Sequence, residues 1–155
     1  MRKIRKSIKS IPLVLALAVL ALSSCNKNAP LPAVKSSVAF QFNGTPRSTS
    51  NVIATNYITQ NSLEIIGQIS STEQIILQFD TLKTGTFNVA TNGVVLGYSP
   101  DNIAADACFG ATGTITLSSF VGTTATGTFS VTAKNSLNVD GVITQGTFSA
   151  QYTKQ

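Results

Sequence analysis

Histidine and tryptophan are absent from this chain of 155 residues, and cysteine occurs only twice. Without histidine, neither the Ser-His-Asp and Cys-His arrangements of nucleophilic catalysis nor the usual zinc sites can be assembled. The sequence also has no phosphate-binding loop and no dinucleotide-binding fingerprint. These absences argue against most hydrolytic, metal-dependent and nucleotide-dependent reactions, and we expect neither a cofactor nor a resident metal.

Charged side chains are scarce and unevenly placed along the chain. The formal net charge is +5, but five of the eleven basic residues lie before position 10. From Cys25 onward, six basic side chains are balanced by six acidic ones. A basic surface that would bind nucleic acid or anionic lipid is therefore not expected.

The first 25 residues have the three parts of a bacterial lipoprotein signal. A basic arm, MRKIRKSIK, precedes an uncharged apolar run of twelve residues from Ile11 to Leu22. This run is shorter than the roughly 20 apolar residues that a membrane-spanning helix needs. The last residue of this run begins the segment LSSC, which resembles the lipobox, with aliphatic Leu22, small Ser23 and Ser24, and then Cys25.

The resemblance to a lipobox implies a definite covalent chemistry. The thiol of Cys25 receives diacylglycerol, the chain is cut between Ser24 and Cys25, and the new amino terminus is acylated. Each buried CH₂ contributes about 0.8 kcal/mol and one acyl chain anchors only marginally, so two or three chains make a stable anchor. The expected partner is thus the membrane, through lipid. An ordinary signal peptide before a chance cysteine, or an uncleaved helix, is the alternative.

The organisation of the chain follows from this signal. Residues 1–24 are the predicted lipoprotein signal peptide, and residues 25–37 form a lipidated tether that contains two prolines and little apolar surface. Residues 38–155 form the predicted domain, which is long enough to bury one core.

Alternation of apolar and polar residues with a period of two dominates the domain, as in VAFQF and TFSVTA. The pairs Asn43-Gly44, Asn92-Gly93 and Asp140-Gly141 are typical of tight turns. Short strands with short links favour antiparallel pairing. The prediction is an all-β fold, an antiparallel β-sandwich or flattened barrel of about nine strands. The strands are predicted near residues 38–43, 51–59, 63–70, 74–80, 86–90, 94–98, 112–120, 124–133 and 141–152.

The tripeptide Gly-Thr-Phe occurs three times, beginning at Gly85, Gly127 and Gly146. The copies are separated by 42 and 19 residues, whereas a repeat architecture needs a fixed period. We interpret the motif as structural, with glycine at a turn or bulge and phenylalanine in the core. A repeated ligand-binding element is the alternative.

Several segments together resemble a family of uncharacterised lipoproteins from the Bacteroidota. They are VAFQFNGTP after the anchor, GTFNVA in mid-chain, and the tail segments TATGTFSVTAKN and GVITQGTFSAQY. The family's tail motif Ile-Thr-x-Gly-x-Phe corresponds here to Ile143, Thr144, Gly146 and Phe148. The chain departs from the family pattern after the first Asn-Gly, where residues 45–47 (Thr-Pro-Arg) stand in place of the usual aromatic residue. The resemblance implies no established activity and no catalytic residues.

Two classes of function remain, with a weak third. The first is a non-catalytic binding or accessory module on a membrane tether. The second is a glycan-binding module of a carbohydrate-capture system. Sugar platforms use exposed aromatic faces, and in a chain without tryptophan the candidates are Tyr57, Tyr98 and Tyr152. An enzyme is the third class and would require converging carboxylates, for which Glu64 and Glu73 are the candidates.

The loop at residues 99–110 contains two further candidate groups. Asp101, Asn102 and Asp106 could offer oxygen ligands to calcium, but their spacing fails the EF-hand rule, so solvated side chains are the preferred interpretation. Cys108 has no partner for an intramolecular disulfide once Cys25 is lipidated. We expect it to pack as a small apolar residue, with a reactive thiol as the alternative.

The residues after Cys25 indicate which membrane holds the protein and which compartment its domain faces. No acidic residue follows the cysteine before Glu64, and the position directly after it is Asn26 rather than aspartate. Bacteroidota surface lipoproteins often have acidic residues there, and enteric inner-membrane lipoproteins have the aspartate. The sequence therefore favours the outer membrane, with the domain facing the periplasm.

The anchor is tested by replacing Cys25 with serine. Cys25→Ser should abolish metabolic labelling with a fatty acid and leave an uncleaved or released protein. Wild-type protein that fractionates with soluble periplasmic contents and has a free thiol at Cys25 would contradict the lipobox assignment.

Overall fold

A computed structural model describes residues 34–155, except Asn92 and Asn102. The predicted signal peptide, Cys25 and the tether up to residue 33 lie outside the described residues. Val34–Gln155 form one unit. Its strands are β1 (Ser37–Phe42), β2 (Thr45–Thr49), β3 (Val52–Tyr57), β4 (Ser62–Gln68), β5 (Gln74–Phe79), β6 (Gly85–Asn88), β7 (Val94–Ser99), β8 (Cys108–Val121), β9 (Thr124–Lys134), β10 (Asp140–Gln151) and β11 (Thr153–Lys154), with a 3₁₀ turn at Ile58–Gln60.

All eleven strands belong to one curled sheet, which forms a half-barrel. The strand order is β11-β3-β4-β5-β7-β8-β9-β10-β1-β2, and β6 pairs with β8 beside this path. Every pair is antiparallel except β11 with β3. The predicted all-β class is therefore confirmed.

The chain itself joins the two ends of the sheet. Strand β2 ends the strand order, yet only Ser50 and Asn51 separate it from β3 at the opposite end. The backbone N–H of Gln68 donates to the carbonyl of Asn51 at 2.9 Å, and the Thr49 hydroxyl donates to the carbonyl of Gln68 at 2.6 Å. A flat sheet of ten strands could not place its end strands so close, so this connection requires the curl.

The turn of the β1–β2 hairpin agrees with the sequence prediction, whereas the turn of the β9–β10 hairpin does not. Asn43 and Gly44 join β1 to β2 with φ values of 48° and 77°, as the Asn-Gly signal indicates. The predicted turn at Asp140-Gly141 is wrong, because both residues begin β10 and the connection lies at residues 135–139. Gly141 is needed for a different reason, since a Cβ there would lie 2.6 Å from the ring of Phe42.

Two strands were absent from the prediction. Strand β2 contains Pro46 and alternates poorly, and proline is tolerated there because β2 is an end strand. Strand β11 has only two residues. Strand β8 is also longer than predicted, with fourteen residues and bulges between Gly110 and Thr112 and between Leu117 and Ser119.

Aromatic side chains occupy the inside of the curl. Phe40, Phe79, Phe129, Phe148 and Tyr98 are all buried. The rings of Phe79 and Phe148 are 5.9 Å apart, and those of Phe40 and Tyr98 meet edge to face at 5.4 Å. Such pairs add to the free energy gained by burying the rings.

Two copies of Gly-Thr-Phe pair with each other across β9 and β10. Gly127 lies opposite Phe148, Gly146 lies opposite Phe129, and the two threonines lie opposite each other. A Cβ on either glycine would overlap the ring of the phenylalanine opposite it. Each glycine therefore leaves the space that the other strand's ring occupies, and the structural interpretation of these copies fits their geometry.

The copy at Gly85 pairs with a different strand. Residues 85–88 lie antiparallel to β8, where Phe87 is opposite Ile115 and Thr86 is opposite Thr116. The hydroxyls of the two threonines are 2.9 Å apart. Because Thr116 also lies opposite Thr128, the threonines of the motif form one row across the outer face from β6 to β10.

The two faces of β10 can be tested by paired substitutions. Phe148→Ala should lower the free energy of unfolding by about 3–5 kcal/mol, a large part of a small domain's stability. Thr147→Ala, on the exposed face of the same strand, should change it by about 0.5 kcal/mol or less. Urea unfolding of the two variants gives the comparison, and equal losses would mean that the faces are assigned wrongly.

Candidate functional site

The three tyrosines do not form a common platform. Tyr98 and Tyr152 are core residues, with 2% and 6% of their surfaces exposed. The Tyr152 ring stacks on Phe120 at 4.8 Å, and its hydroxyl donates to the carbonyl of Gly122. The prediction that these two tyrosines bind ligand is corrected on this point, because neither can present a ring face to a sugar. Tyr57 alone is half-buried.

Tyr57 lines a polar groove of about 280 Å³ on the sheet, near the end of β3 and the start of β4. The 3₁₀ turn after Tyr57 reverses the chain, with Asn61 in the left-handed region, so that Ser62 lies opposite Tyr57. The N–H of Ile58 donates to the carbonyl of Gln155, which ties the turn to the chain's last residue. The groove is lined by Tyr57, Gln60, Ser62, Glu64 and Gln78.

The groove offers an aromatic side chain beside amide, hydroxyl and carboxylate groups. Glu64 of β4 lies opposite Gln78 of β5, so a carboxylate and an amide stand side by side. Together with Gln60 these groups both donate and accept hydrogen bonds. An aromatic surface with such groups suits an uncharged ligand rich in hydroxyls.

Glu64 and Glu73 do not converge. Gln74 begins β5 opposite Gln68, four residues along β4 from Glu64. At about 3.4 Å per residue this separates them by more than 13 Å along the sheet. Glu73 also points the other way, where it accepts hydrogen bonds from buried Tyr98 and from Arg47. The two carboxylates therefore do not form the converging pair that an enzyme would require.

Arg47, Glu73 and Tyr98 form a polar cluster that joins three distant parts of the sheet. The Nε of Arg47 in β2 lies 2.7 Å from an oxygen of Glu73, and the Tyr98 hydroxyl of β7 donates to the same oxygen at 2.6 Å. Burial, and then donation to Glu73, raise the pKa of Tyr98. The cluster holds the end strand β2 against β5 and β7. The sequence pattern does not predict it, because its three residues are 25 or 26 positions apart in sequence and meet only when the strands pair.

The loop before β8 contains the candidate calcium ligands, and the candidate reactive thiol of Cys108 follows it. The carboxylate of Asp101 accepts the N–H of Ile103. No cluster of three metal-binding side chains occurs among the described residues, which exclude Asn102. Cys108 is buried, and burial followed by the nearby charge of Asp106 raises its pKa, so the thiol is held protonated.

Comparison with known proteins adds no family. No protein-family model, curated protein or solved structure matches the chain. The resemblance to Bacteroidota lipoproteins therefore stays a prediction. In the part of the chain that the structure describes, no helix is long and apolar enough to cross a membrane.

The polar cluster predicts a pH dependence. Because the pKa of Tyr98 is raised in the folded protein, its contribution to stability is present at neutral pH and is lost as the pH rises above about 10, where the unfolded chain's tyrosine ionises. Tyr98→Phe should lower the free energy of unfolding by about 1.5–3 kcal/mol at neutral pH, as expected for a hydrogen bond to a charged group. The decrease in the free energy of unfolding above pH 10 should also be smaller in Tyr98→Phe than in the wild type.

Urea unfolding between pH 7 and 11 measures both effects. Tyr152→Phe is the comparison, since its hydroxyl donates to a neutral carbonyl and burial alone raises its pKa. It should reduce the decline above pH 10 less than Tyr98→Phe does. If wild type and Tyr98→Phe lose stability in parallel above pH 10, the Tyr98 hydroxyl does not have the role assigned to it.

Proposed function

We propose that this protein is a non-catalytic lipoprotein of the cell envelope, anchored through Cys25 and presenting a β-sheet binding or accessory module. The observation that carries the proposal is the lipoprotein signal of residues 1–25 together with the point at which the fold begins. Strand β1 begins at Ser37, so eleven residues separate it from Cys25. At 3.3–3.6 Å per residue they reach at most about 40 Å. The membrane is the expected partner, with the domain on the periplasmic side of the outer membrane.

The groove at Tyr57 supports a second candidate, a glycan-binding module. Tyr57 is half-buried and lines the groove, where amide, hydroxyl and carboxylate groups lie beside it. A neutral glycan suits this groove, since a single carboxylate among its lining residues would repel an anionic ligand. Because Tyr98 and Tyr152 are buried in the core, the glycan-binding candidate rests on this groove.

An enzyme remains the weakest candidate. A glycosidase needs two carboxyl groups that flank the scissile bond. Among the groove residues only Glu64 has a carboxylate, and Glu73 is held by Arg47 and Tyr98 on the other face.

The glycan role is tested by binding of the mature protein to an array of neutral polysaccharides, followed by affinity electrophoresis with any positive member. Tyr57→Ala and Gln78→Ala should each weaken retention by about tenfold or more, since a lost contact of 1.4 kcal/mol corresponds to that factor. Gln74→Ala is the matched control, because Gln74 lies on the same face of β5 outside the groove.

Retention that is equal in Tyr57→Ala, Gln78→Ala and Gln74→Ala would place binding elsewhere. Absence of retention by any neutral polysaccharide would remove the glycan candidate. The proposed accessory role of a lipid-anchored protein would then be tested by the Cys25→Ser experiment.

A further inference from the structure

A second polar groove, of about 370 Å³, lies on the outer face of β8, β9 and β10. Buried Phe129 and Gly146 form its floor. Four hydroxyl groups and one amide surround it, from Thr114, Thr128, Ser130, Thr147 and Gln145. We call it the threonine groove. Its volume is within the range of small-molecule sites, and it shares no residue with the groove at Tyr57.

A bulge in β10 shapes the threonine groove. The register of β10 shifts between Ile143 and Gly146 on the β9 side, and at the same level on the β1 side. Two residues, Thr144 and Gln145, therefore stand opposite the single Ser130. Such a bulge bends its strand and re-aims a side chain, and bulges are common next to active sites. The re-aimed side chain is that of Gln145, which is exposed and lines the groove.

Gln145 has a backbone conformation that glycine would adopt at lower cost. Its φ is 53°, in the left-handed region, where a residue with a Cβ is strained. The amide oxygen accepts one hydrogen bond, from the exposed side chain of Gln41 at 3.1 Å. The amide NH₂ group can therefore donate to a ligand in the groove. Folding alone gives no reason for a glutamine at this position.

The hydroxyls around the groove are also available to a ligand. Thr116, which is paired with Thr128, lies outside the groove, and its hydroxyl is 2.9 Å from that of Thr86. Within the part of the chain that the structure describes, the four hydroxyls of the groove have no such partner. Each of them can therefore both donate and accept a hydrogen bond.

The chemistry of the lining defines the class of ligand. No lining residue is charged, and along β9 the next ionisable side chain is Lys134, four residues and about 13 Å from Ser130. Lys134 is itself paired with Asp140 at 2.8 Å. A charged ligand would find no opposite charge in the groove, and an apolar ligand would leave the hydroxyls and the amide unpaired. The lining suits a neutral ligand rich in hydroxyl groups.

We propose that the threonine groove binds a neutral oligosaccharide, held by the four hydroxyls and by the amide of Gln145. Thr128 is paired with Thr147, and Thr114 with Ser130, so the hydroxyls stand about 4.8 Å apart across the strands and about 7 Å apart along β9. Threonine side chains are stiff at χ1 and these strands are paired on both sides, so binding orders few groups.

The test uses residues 25–155 with Cys25→Ser in every sample, so that the result does not depend on lipidation. The probes are neutral glucan, mannan and galactan oligosaccharides, followed by backbone NMR. Saturating titration with at least one probe should shift the amide signals of Thr128, Ser130 and Gly146. Because the groove at Tyr57 would take the same class of ligand, Tyr57→Ala is titrated in parallel.

Gln145→Gly and Thr128→Val should each raise the dissociation constant by about three- to tenfold, the effect of one lost hydrogen bond. Gln145→Gly should resist urea as well as the wild type does, because glycine is unstrained at this φ. The matched controls are Asn138→Gly, which removes an exposed amide at φ 62°, and Thr132→Val, on the same face of β9 beyond the groove. Both controls should leave the affinity unchanged.

The outcomes separate the two grooves. Affinity that falls in Gln145→Gly and Thr128→Val but not in Tyr57→Ala would support the threonine groove and leave the groove at Tyr57 without a ligand. Affinity that falls only in Tyr57→Ala would overturn the proposal and favour the other groove. Absence of saturable shifts in the threonine groove with every probe would also overturn it, as would equal affinity in the two variants and their controls.

Discussion

The rest of the sheet depends on two reciprocal contacts between β9 and β10, in each of which a phenylalanine ring of one strand packs over a glycine of the other. Phe129 lies over Gly146 and Phe148 over Gly127, so each ring occupies the space left by the other strand's missing side chain. A slip of one residue would send both rings to the outer face. These two contacts therefore determine the register of β9 and β10, and with it which face of the sheet lies in the core.

Closure of the curl combines polar contacts at its ends with the aromatic core. Strand β2 runs directly into β3, and Arg47 reaches Glu73, which also receives the Tyr98 hydroxyl. A buried hydroxyl beside a half-buried ion pair is stabilising because each group is hydrogen-bonded. The aromatic core and the polar cluster thus share Tyr98, which packs against Phe40 and Phe42 on the inside.

The outer face is divided into regions of different chemistry. Threonine hydroxyls cover β6, β8, β9 and β10, and the groove at Tyr57 combines an aromatic ring with amides. An apolar row crosses β3, β4, β5 and β8 and consists of Ile53, Ile66, Ile76 and Phe109. All three regions lie on strands whose inner residues are packed in the core. Inner packing leaves the outer positions free to differ, so the sheet can act as a scaffold for surfaces with separate roles.

The all-β class, most of the strands and the inward faces of Phe129 and Phe148 follow from alternation, because a period of two places every second residue in the core whatever the partner strand. The predicted anchor at Cys25 is equally local, since four adjacent residues define it. The partners of each strand are decided only by the tertiary structure. Glu64 and Glu73 fall on opposite faces, Tyr98 and Tyr152 enter the core, and Ile53, Ile66, Ile76 and Phe109 come into one row. These outcomes depend on register between segments distant in sequence, and alternation carries no information about register.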